Sequence, residues 1–291
     1  MFIALEIFYR YIPNNYSVKN QQINKHSNET EVLLFGDSHC LYGLNPNYFS
    51  NKTFNLSNVS QTIYFDKLLF EKYQNKLPKL KQVVFCIEYT NLSQVDNSGD
   101  DGWRKFFYKR FMHLEIPLIS NLDPRNYSLA LTQSFYKSRD LVKRYIKKGT
   151  IVDCDSLGWG TNYKKEDRIP ASQIAKIRAI VQEDGLMDFK LNKSRINNII
   201  QKCKERNIQV LIVSMPQTKL FESYLNQNKL KAIKQTCLDF QTKNPNTANY
   251  LNLFEDTRFS EEDFYDADHL NDQGAIKCSK IVNNYLTTIE K

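Results

Sequence analysis

Glycine is scarce in this sequence, with 9 glycines among 291 residues. Neither G-x-G-x-x-G nor G-x-x-x-x-G-K-[ST] occurs after any apolar run. Those loops bind the phosphates of dinucleotides and nucleoside triphosphates through backbone N–H groups. The sequence therefore disfavours nucleotide binding, and we expect no cofactor.

The chain also lacks the cysteine and histidine clusters of a metal site. None of its cysteines forms a C-x-x-C pair, so zinc and thioredoxin-like sites have no support, and we interpret them as buried free thiols; they are Cys40, Cys86, Cys154, Cys203, Cys237 and Cys278. The histidines are few and scattered, so we predict no bound metal; they are His26, His39, His113 and His269.

No apolar run reaches the roughly 20 residues that a membrane-spanning helix needs. Residues 1–7 are largely apolar and are followed by Tyr and Arg, whereas 13–30 are polar. We interpret residues 1–30 as a membrane-proximal segment and linker. Two alternatives stay open for its start: the end of a membrane helix, with Tyr and Arg at the interface, or a short docking segment.

The composition is that of an ordinary globular protein, with 41% hydrophobic and 25% charged residues. The formal net charge of +8 is spread along the chain rather than gathered in one tail. Such a spread is only a weak signal for anionic partners. We expect no nucleic-acid partner.

Short apolar runs alternate with helical patterns. The predicted strands are Glu31–Phe35, Thr53–Ser57, Gln82–Ile87, Gln209–Ser214 and a weaker one near Tyr250–Leu253. The predicted helices begin near Ile63, at Ser194 as a cap, near Phe221 and after Asn271. Alternation of this kind predicts a parallel α/β sheet covered on both faces. We expect one domain over 31–291, interrupted by a mostly helical insertion at about 92–190.

Two polar segments stand where such a sheet carries its chemistry. Gly36-Asp37-Ser38-His39 directly follows the first strand, and Asp266-Ala267-Asp268-His269 lies just before the last helix. Ligands bind at the carboxyl ends of the strands of these sheets, so both segments should reach one edge. A serine needs an imidazole base, and the base needs a carboxylate to orient it. We predict that Ser38, His269 and Asp266 meet there, with Asp266 on a surface turn, Asp268 directed elsewhere and Asp37 holding the turn.

The sequence Leu33-Leu34-Phe35-Gly36-Asp37-Ser38-His39 resembles the opening motif of the SGNH/GDSL hydrolase superfamily. Phe264–Asn271 resembles its closing D-x-x-H motif. The resemblance extends to Gly43–Pro46, Asn55–Gln61 and Val83–Asn91, and covers residues 31–91 and 194–289. This pattern is similar to that of bacterial members found near surface-polysaccharide genes, many of which carry an amino-terminal membrane helix.

This resemblance implies a three-layer α/β/α sandwich with a flavodoxin-like sheet. It implies Ser38 as the nucleophile, Asp266 as the orienting acid and His269 as the base. The oxyanion hole would use the N–H of Ser38, the N–H of Ser60 in place of the usual glycine, and the amide of Asn91, with Thr90 as the alternative. The implied function is an esterase or acyltransferase acting on acetyl or other short acyl groups of a surface polysaccharide. It also implies a cell-envelope location, the alternative being cytoplasmic.

Two other classes of function compete with this one. Asp37-Ser38-His39 is also a D-x-H, which a metallophosphoesterase would use, but the sequence offers no second or third ligand cluster. A non-catalytic module that binds a glycan or an assembly partner is the other alternative, because the oxyanion positions depart from the family pattern. The presence of all three of Ser38, Asp266 and His269 argues against it.

Overall fold

Five parallel strands form one sheet in the order β2-β1-β3-β4-β5 in the computed structural model, which describes residues 2–96 and 99–289. The strands are β1 (Val32–Phe35), β2 (Thr53–Asn55), β3 (Gln82–Ile87), β4 (Gln209–Ser214) and β5 (Ala248–Asn252). Leu33 pairs with Phe54 on one side and Val83 on the other, and Val83 pairs with Val210. β1 and β3 are buried along their whole length, as expected for strands covered on both faces.

Helices cover both faces of this sheet. Those of the described chain are α1 (Phe2–Tyr11), α2 (Asn15–Lys25), α3 (Ser38–Gly43), α4 (Ile63–Tyr73), α5 (Arg104–Met112), α6 (Phe135–Lys148), α7 (Ala171–Gln182), α8 (Lys190–Glu205), α9 (Lys219–Tyr224), α10 (Gln227–Lys243) and α11 (Asp272–Ile289). On one face α4, α8 and α10 pack on Leu33 and Phe85; on the other, α3 and α11 pack on Leu34 and Val84. The predicted three-layer α/β/α sandwich is confirmed.

Residues 15–25, within the segment interpreted from its polar sequence as a linker, form helix α2. Tyr16, Lys19 and Ile23 fall on one face of this helix, and all three are buried. The Lys19 ammonium donates to the backbone carbonyls of Asn55 and Ser57 at the end of β2. The polar composition of residues 13–30 therefore did not indicate the helix that packs against the sheet domain.

Between β3 and α8 the chain leaves the sheet and forms α5, α6, α7 and long loops. The Tyr16 ring contacts Trp103 and Phe107 edge-on or tilted, so the amino-terminal helices and this insertion share a core. The Trp103 ring therefore contributes to the packing of this shared core. Leu157 accepts a hydrogen bond from the Asn55 N–H at the edge of β2.

Two helix boundaries differ from the sequence predictions. α8 begins at Lys190, so Ser194 lies inside it rather than capping it, although Ile196, Ile199, Ile200 and Cys203 face the core as predicted. The helix expected from Phe221 to Phe240 is divided into α9 and α10. Asn226 divides them, because its side chain accepts from two N–H groups of the second helix.

Within the described residues, no helix combines the length and the apolar character required to cross a membrane.

Candidate active site

The turn between β1 and α3 presents Ser38 at the carboxyl edge of the sheet. Gly36 has φ +141°, and a Cβ there would lie 3.0 Å from the Cβ of Cys40 and 3.1 Å from that of Cys86. Only glycine fits this turn without displacing the helix from the strand. Asp37 then caps α3 by accepting the His39 N–H at 2.8 Å, as the sequence predicted. Ser38 therefore stands at the first position of the helix.

The structure brings Ser38, His269 and Asp266 together. Ser38 Oγ lies 2.8 Å from His269 Nε2, across 231 residues of sequence. His269 Nδ1 lies 3.1 Å from each carboxylate oxygen of Asp266. Since a carboxylate only accepts, Nδ1 carries the proton and Nε2 is left to accept one from Ser38.

Asp266 is buried, not on a surface turn as expected from the sequence. Its side chain accepts the backbone N–H of His269 at 2.8 Å and that of Asp268 at 3.1 Å, so it also shapes the turn. Burial alone would raise the pKa of this carboxyl, but the charge and hydrogen bond of His269 hold it below its usual value. Asp266 thus remains an ionised acceptor facing the ring.

The expectation that Asp268 points away from the site is wrong. Asp268 is 1% exposed and its Oδ2 lies 3.0 Å from Nε2 of His39. The other nitrogen of that ring, Nδ1, lies 3.0 Å from Oδ1 of Asp37. A second imidazole is therefore held between two carboxylates directly beside the first.

These contacts fix the charge of His39. Burial by itself lowers the pKa of the ring, but Asp37 and Asp268 outweigh it and raise that pKa well above the ordinary histidine value. The pKa values of Asp37 and Asp268 are both lowered, although burial alone would raise them. The charge of His39 and its hydrogen bond lower the pKa of Asp37, and His269 and His39 together lower that of Asp268. His39 is thus an imidazolium at neutral pH. With both nitrogens bonded to carboxylates, it offers no N–H to a ligand.

Two side chains of the insertion complete this cluster, and sequence analysis did not identify them. From α7, Arg178 donates to Asp268 through Nε and, at 2.9 Å, through Nη2, and Gln182 Nε2 donates to the same carboxylate at 2.5 Å. Arg178 and Gln182 are four residues apart, on the side of the helix where Ala175 and Ala179 are buried. That spacing was the available signal, but it does not tell which partner the helix meets.

A stack of three tyrosines borders the catalytic turn. Tyr163, from the insertion, lies between the rings of Tyr42 at 3.8 Å and Tyr265 at 4.0 Å, both nearly parallel to it. The Tyr163 ring also lies edge-on to the His269 ring, with 5.3 Å between their centroids. In addition, the Tyr163 carbonyl accepts the N–H of Asp272 at the start of α11. The insertion thereby covers the base and its carboxylate.

Ser38 opens into a cavity of about 500 Å³ that the sheet edge and the insertion line together. Of the predicted oxyanion donors, Ser60 lines this cavity with φ +53°, a left-handed conformation that favours glycine. Asn91 does not line it: its amide donates to Asp37 Oδ2 at 3.0 Å and its oxygen accepts the Glu88 N–H at 2.7 Å. Thr90, the alternative position, does line the cavity.

Among the residues that the structure describes, two overlapping groups of side chains have ligand atoms within 4.8 Å of one another: His39, Asp268 and His269, and Asp37, His39 and Glu88. Both groups include His39, whose two nitrogens already face carboxylate oxygens. A metal ion in either place would have to displace one of these bonds. The geometry thus fits a serine nucleophile with its base better than a D-x-H metal site.

Comparisons with known proteins give little further information. No known family model and no curated protein matches this sequence. Among solved structures, the fold is similar to that of a protein from Streptococcus pneumonia provisionally described as a platelet activating factor, with 10% identity, TM-score 0.45 and 98% of both chains covered. It is also similar to a provisionally described acylhydrolase from Bacteroides fragilis, with 11% identity, TM-score 0.44, and 92% of this chain and 95% of that one covered. At these values the neighbours do not bear on the residues of the site.

Proposed function

We propose that this protein is an SGNH-type serine esterase or acyltransferase that works through an acyl-enzyme. The observation that carries the proposal is the alignment of Ser38, His269 and Asp266, with 2.8 Å between nucleophile and base and 3.1 Å between base and carboxylate. Nucleophile and base within hydrogen-bond reach, with the base oriented by a third group, is the arrangement that activates a serine hydroxyl.

The reaction follows from these contacts. His269 Nε2 takes the Ser38 proton while Oγ bonds to the ester carbonyl carbon, and Asp266 stabilises the imidazolium that forms. The N–H groups of Ser38 and Ser60 are the proposed donors to the oxyanion. His269 then protonates the departing alcohol oxygen, leaving an acyl-Ser38. Water or an acceptor hydroxyl, deprotonated by His269, then attacks the acyl carbon, the bond between that carbon and Ser38 Oγ breaks, and His269 returns the proton to Oγ.

Asn91 acts as a positioning residue in this scheme. Its amide holds Asp37, and Asp37 in turn caps α3 and pairs with His39. Thus the residue after the third strand acts through the nucleophile turn rather than on the substrate.

The proposed substrates are acetyl or other short acyl esters of a cell-surface polysaccharide, and the proposed location is the cell envelope. The sequence resemblance supports both. An amino-terminal association with the membrane is part of the proposal, supported by the exposure of Phe2, Ile3, Ile7 and Tyr11 along α1, which are 49%, 74%, 53% and 76% accessible. Aromatic and aliphatic side chains of this kind bind the membrane interface.

A fluorophosphonate probe tests the nucleophile, with the modified peptide mapped by mass spectrometry. We expect Ser38 to be the strongly labelled serine, and Ser38→Ala and His269→Ala to abolish labelling. Ser93→Ala is the matched control, because Ser93 lines the same cavity but its hydroxyl is bonded to Asp184 rather than to an imidazole. It should leave Ser38 labelled.

Kinetics with p-nitrophenyl acetate give a second test. Ser38→Ala and His269→Ala should each lower kcat about 10³-fold or more, and the double variant little further, because the two residues act as a unit. A folded wild-type protein that is neither labelled nor active would favour the non-catalytic binding module. Activity lost in EDTA and restored by zinc or manganese would favour the metallophosphoesterase.

A further inference from the structure

Glu88 is a buried carboxyl group in the wall of the active-site cavity. It directly follows β3, is 4% exposed and lines the same cavity as Ser38. Its Oε1 accepts a hydrogen bond from the Thr90 hydroxyl, whereas Oε2 is buried without a hydrogen-bond partner among the described residues. An unpaired buried oxygen of this kind is costly unless a bound molecule satisfies it.

The surroundings of Glu88 favour its neutral form. Burial is the main cause and the charge of Asp37 adds to it, while the His39 charge and the Thr90 hydrogen bond oppose them; together they raise the pKa of Glu88 to about 7. The other charged groups of the cavity wall are Asp96, Arg178 and Asp184. A neutral carboxyl both donates and accepts hydrogen bonds.

A second unsatisfied oxygen belongs to Gln182, another residue that lines this cavity. Its Nε2 is fixed by the ionised Asp268, an acceptor only, so the amide orientation is settled and Oε1 is turned the other way. That Oε1 is buried and has no partner within the described part of the chain. It can be satisfied only by a donor.

We propose that Glu88 and Gln182 form a subsite that binds the hydroxyl groups of the alcohol part of the substrate, an inference that rests on the proposed esterase or acyltransferase function. A hydroxyl both donates and accepts, so a polyhydroxylated group can pair with both residues. An apolar acyl chain would leave both oxygens desolvated and unpaired. A carboxylate has no hydrogen to give to Gln182 and would face Asp96 and Asp184, whereas the Arg178 guanidinium of the same wall is already bound to Asp268. The subsite thus selects a neutral, sugar-like alcohol.

The test compares acetate release from two kinds of ester: p-nitrophenyl acetate, whose alcohol part has no aliphatic hydroxyl, and a set of methyl glucosides acetylated singly at O2, O3, O4 or O6. Glu88→Ala and Gln182→Ala should lower kcat/KM for the best glucoside ester about 10-fold more than for p-nitrophenyl acetate, because a polar group is left unpaired only with the sugar. Glu88→Gln, which keeps a donor and an acceptor, should retain the wild-type ratio. Gln173→Ala, an exposed change on the same helix, is the control for Gln182.

Equal losses on both esters in the two alanine variants would overturn the subsite, since a structural role lowers both alike. Wild-type hydrolysis of p-nitrophenyl acetate but of none of the glucosides would overturn it as well. Hydrolysis of neither ester, with Ser38 unlabelled by the fluorophosphonate, would instead overturn the proposed function and the subsite with it. If Glu88→Ala does not fold, the comparison of Gln182→Ala with Gln173→Ala decides.

Discussion

The ring of His39 lies parallel to the ring of His269, with 4.2 Å between their centroids and 16° between their planes. His39 carries a fixed positive charge, because Asp37 and Asp268 each hold one of its nitrogens. Two cations, His39 and Arg178, lie near His269. Three carboxylates surround it as well, those of Asp37, Asp266 and Asp268, so a neutral His269 ring has a net charge of one negative unit around it. A proton arriving from Ser38 neutralises that sum, so the surroundings stabilise the imidazolium of the proposed reaction.

Asp266→Asn should lower kcat for p-nitrophenyl acetate by about 10²- to 10⁴-fold. The amide presents an N–H where the carboxylate accepts one, which favours the wrong tautomer of His269. Thermal unfolding should show a folded protein, since the Asn oxygen can still accept the backbone N–H groups of Asp268 and His269. Wild-type turnover in this variant would mean that the carboxylate is wrongly assigned.

Asp268→Asn should also be damaging, but through a different route. It removes the charge that binds His39, Arg178 and Gln182, and breaking one partner out of a buried charge network costs about 3–5 kcal/mol. We expect a lower free energy of unfolding in urea together with reduced turnover. Glu262→Gln, which removes an exposed partner of Arg168, is the matched control and should cost less than about 1 kcal/mol. Equal stabilities of the two variants would contradict the network.

Asp66 predicts a pH dependence of stability. It is 2% exposed on α4, and burial, supported by the charge of Asp37, raises its pKa to about 8 despite a hydrogen bond from Gln61. Between about pH 4 and pH 8 the folded protein therefore keeps a proton on Asp66 that the unfolded chain releases. The contribution of this proton to the free energy of unfolding is full below about pH 4 and is lost as the pH rises to about 8. Asp66→Asn should remove it.

The measurement is urea unfolding of both proteins from pH 5 to pH 8. As the pH rises over this range, the wild type should lose about 1.4 kcal/mol of unfolding free energy per pH unit relative to Asp66→Asn. Parallel stability curves would show that the Asp66 carboxyl is ionised in the folded protein.

Gly158 and Gly149 form a matched pair for testing how the insertion docks on the sheet. Both have positive φ, +86° and +71°, but a Cβ at 158 would lie 2.1 Å from the Asn55 carbonyl oxygen, whereas nothing lies within 4 Å at 149. Gly149→Ala should cost about 1 kcal/mol from backbone strain alone. Gly158→Ala should cost about 3 kcal/mol, because overpacking is added. Equal losses in thermal unfolding would contradict the close contact with β2.

Much of this protein is predictable from local patterns. The segments Gln82–Ile87 and Gln209–Ser214 form strands with those bounds, because the apolar runs Val83–Ile87 and Val210–Val213 inside them suit burial on both faces of the sheet. Ser38 and His269 were predicted together from their places at the first strand and before the last helix. The polar segment 13–30 shows the limit: its apolar positions are too few to outweigh its composition, and only packing against the domain reveals a helix.

The sequence by itself predicted the sheet, the edge at which the site lies, and the pairing of Ser38 with His269, since each depends on a local pattern or on the rule that parallel strands end at one edge. Only the tertiary structure decided which carboxylate serves which ring. Asp266 and Asp268 differ by two positions, yet one meets His269 and the other His39 and Arg178. That assignment depends on α7 docking across the catalytic turn, a contact about 90 residues away in sequence that no local pattern encodes.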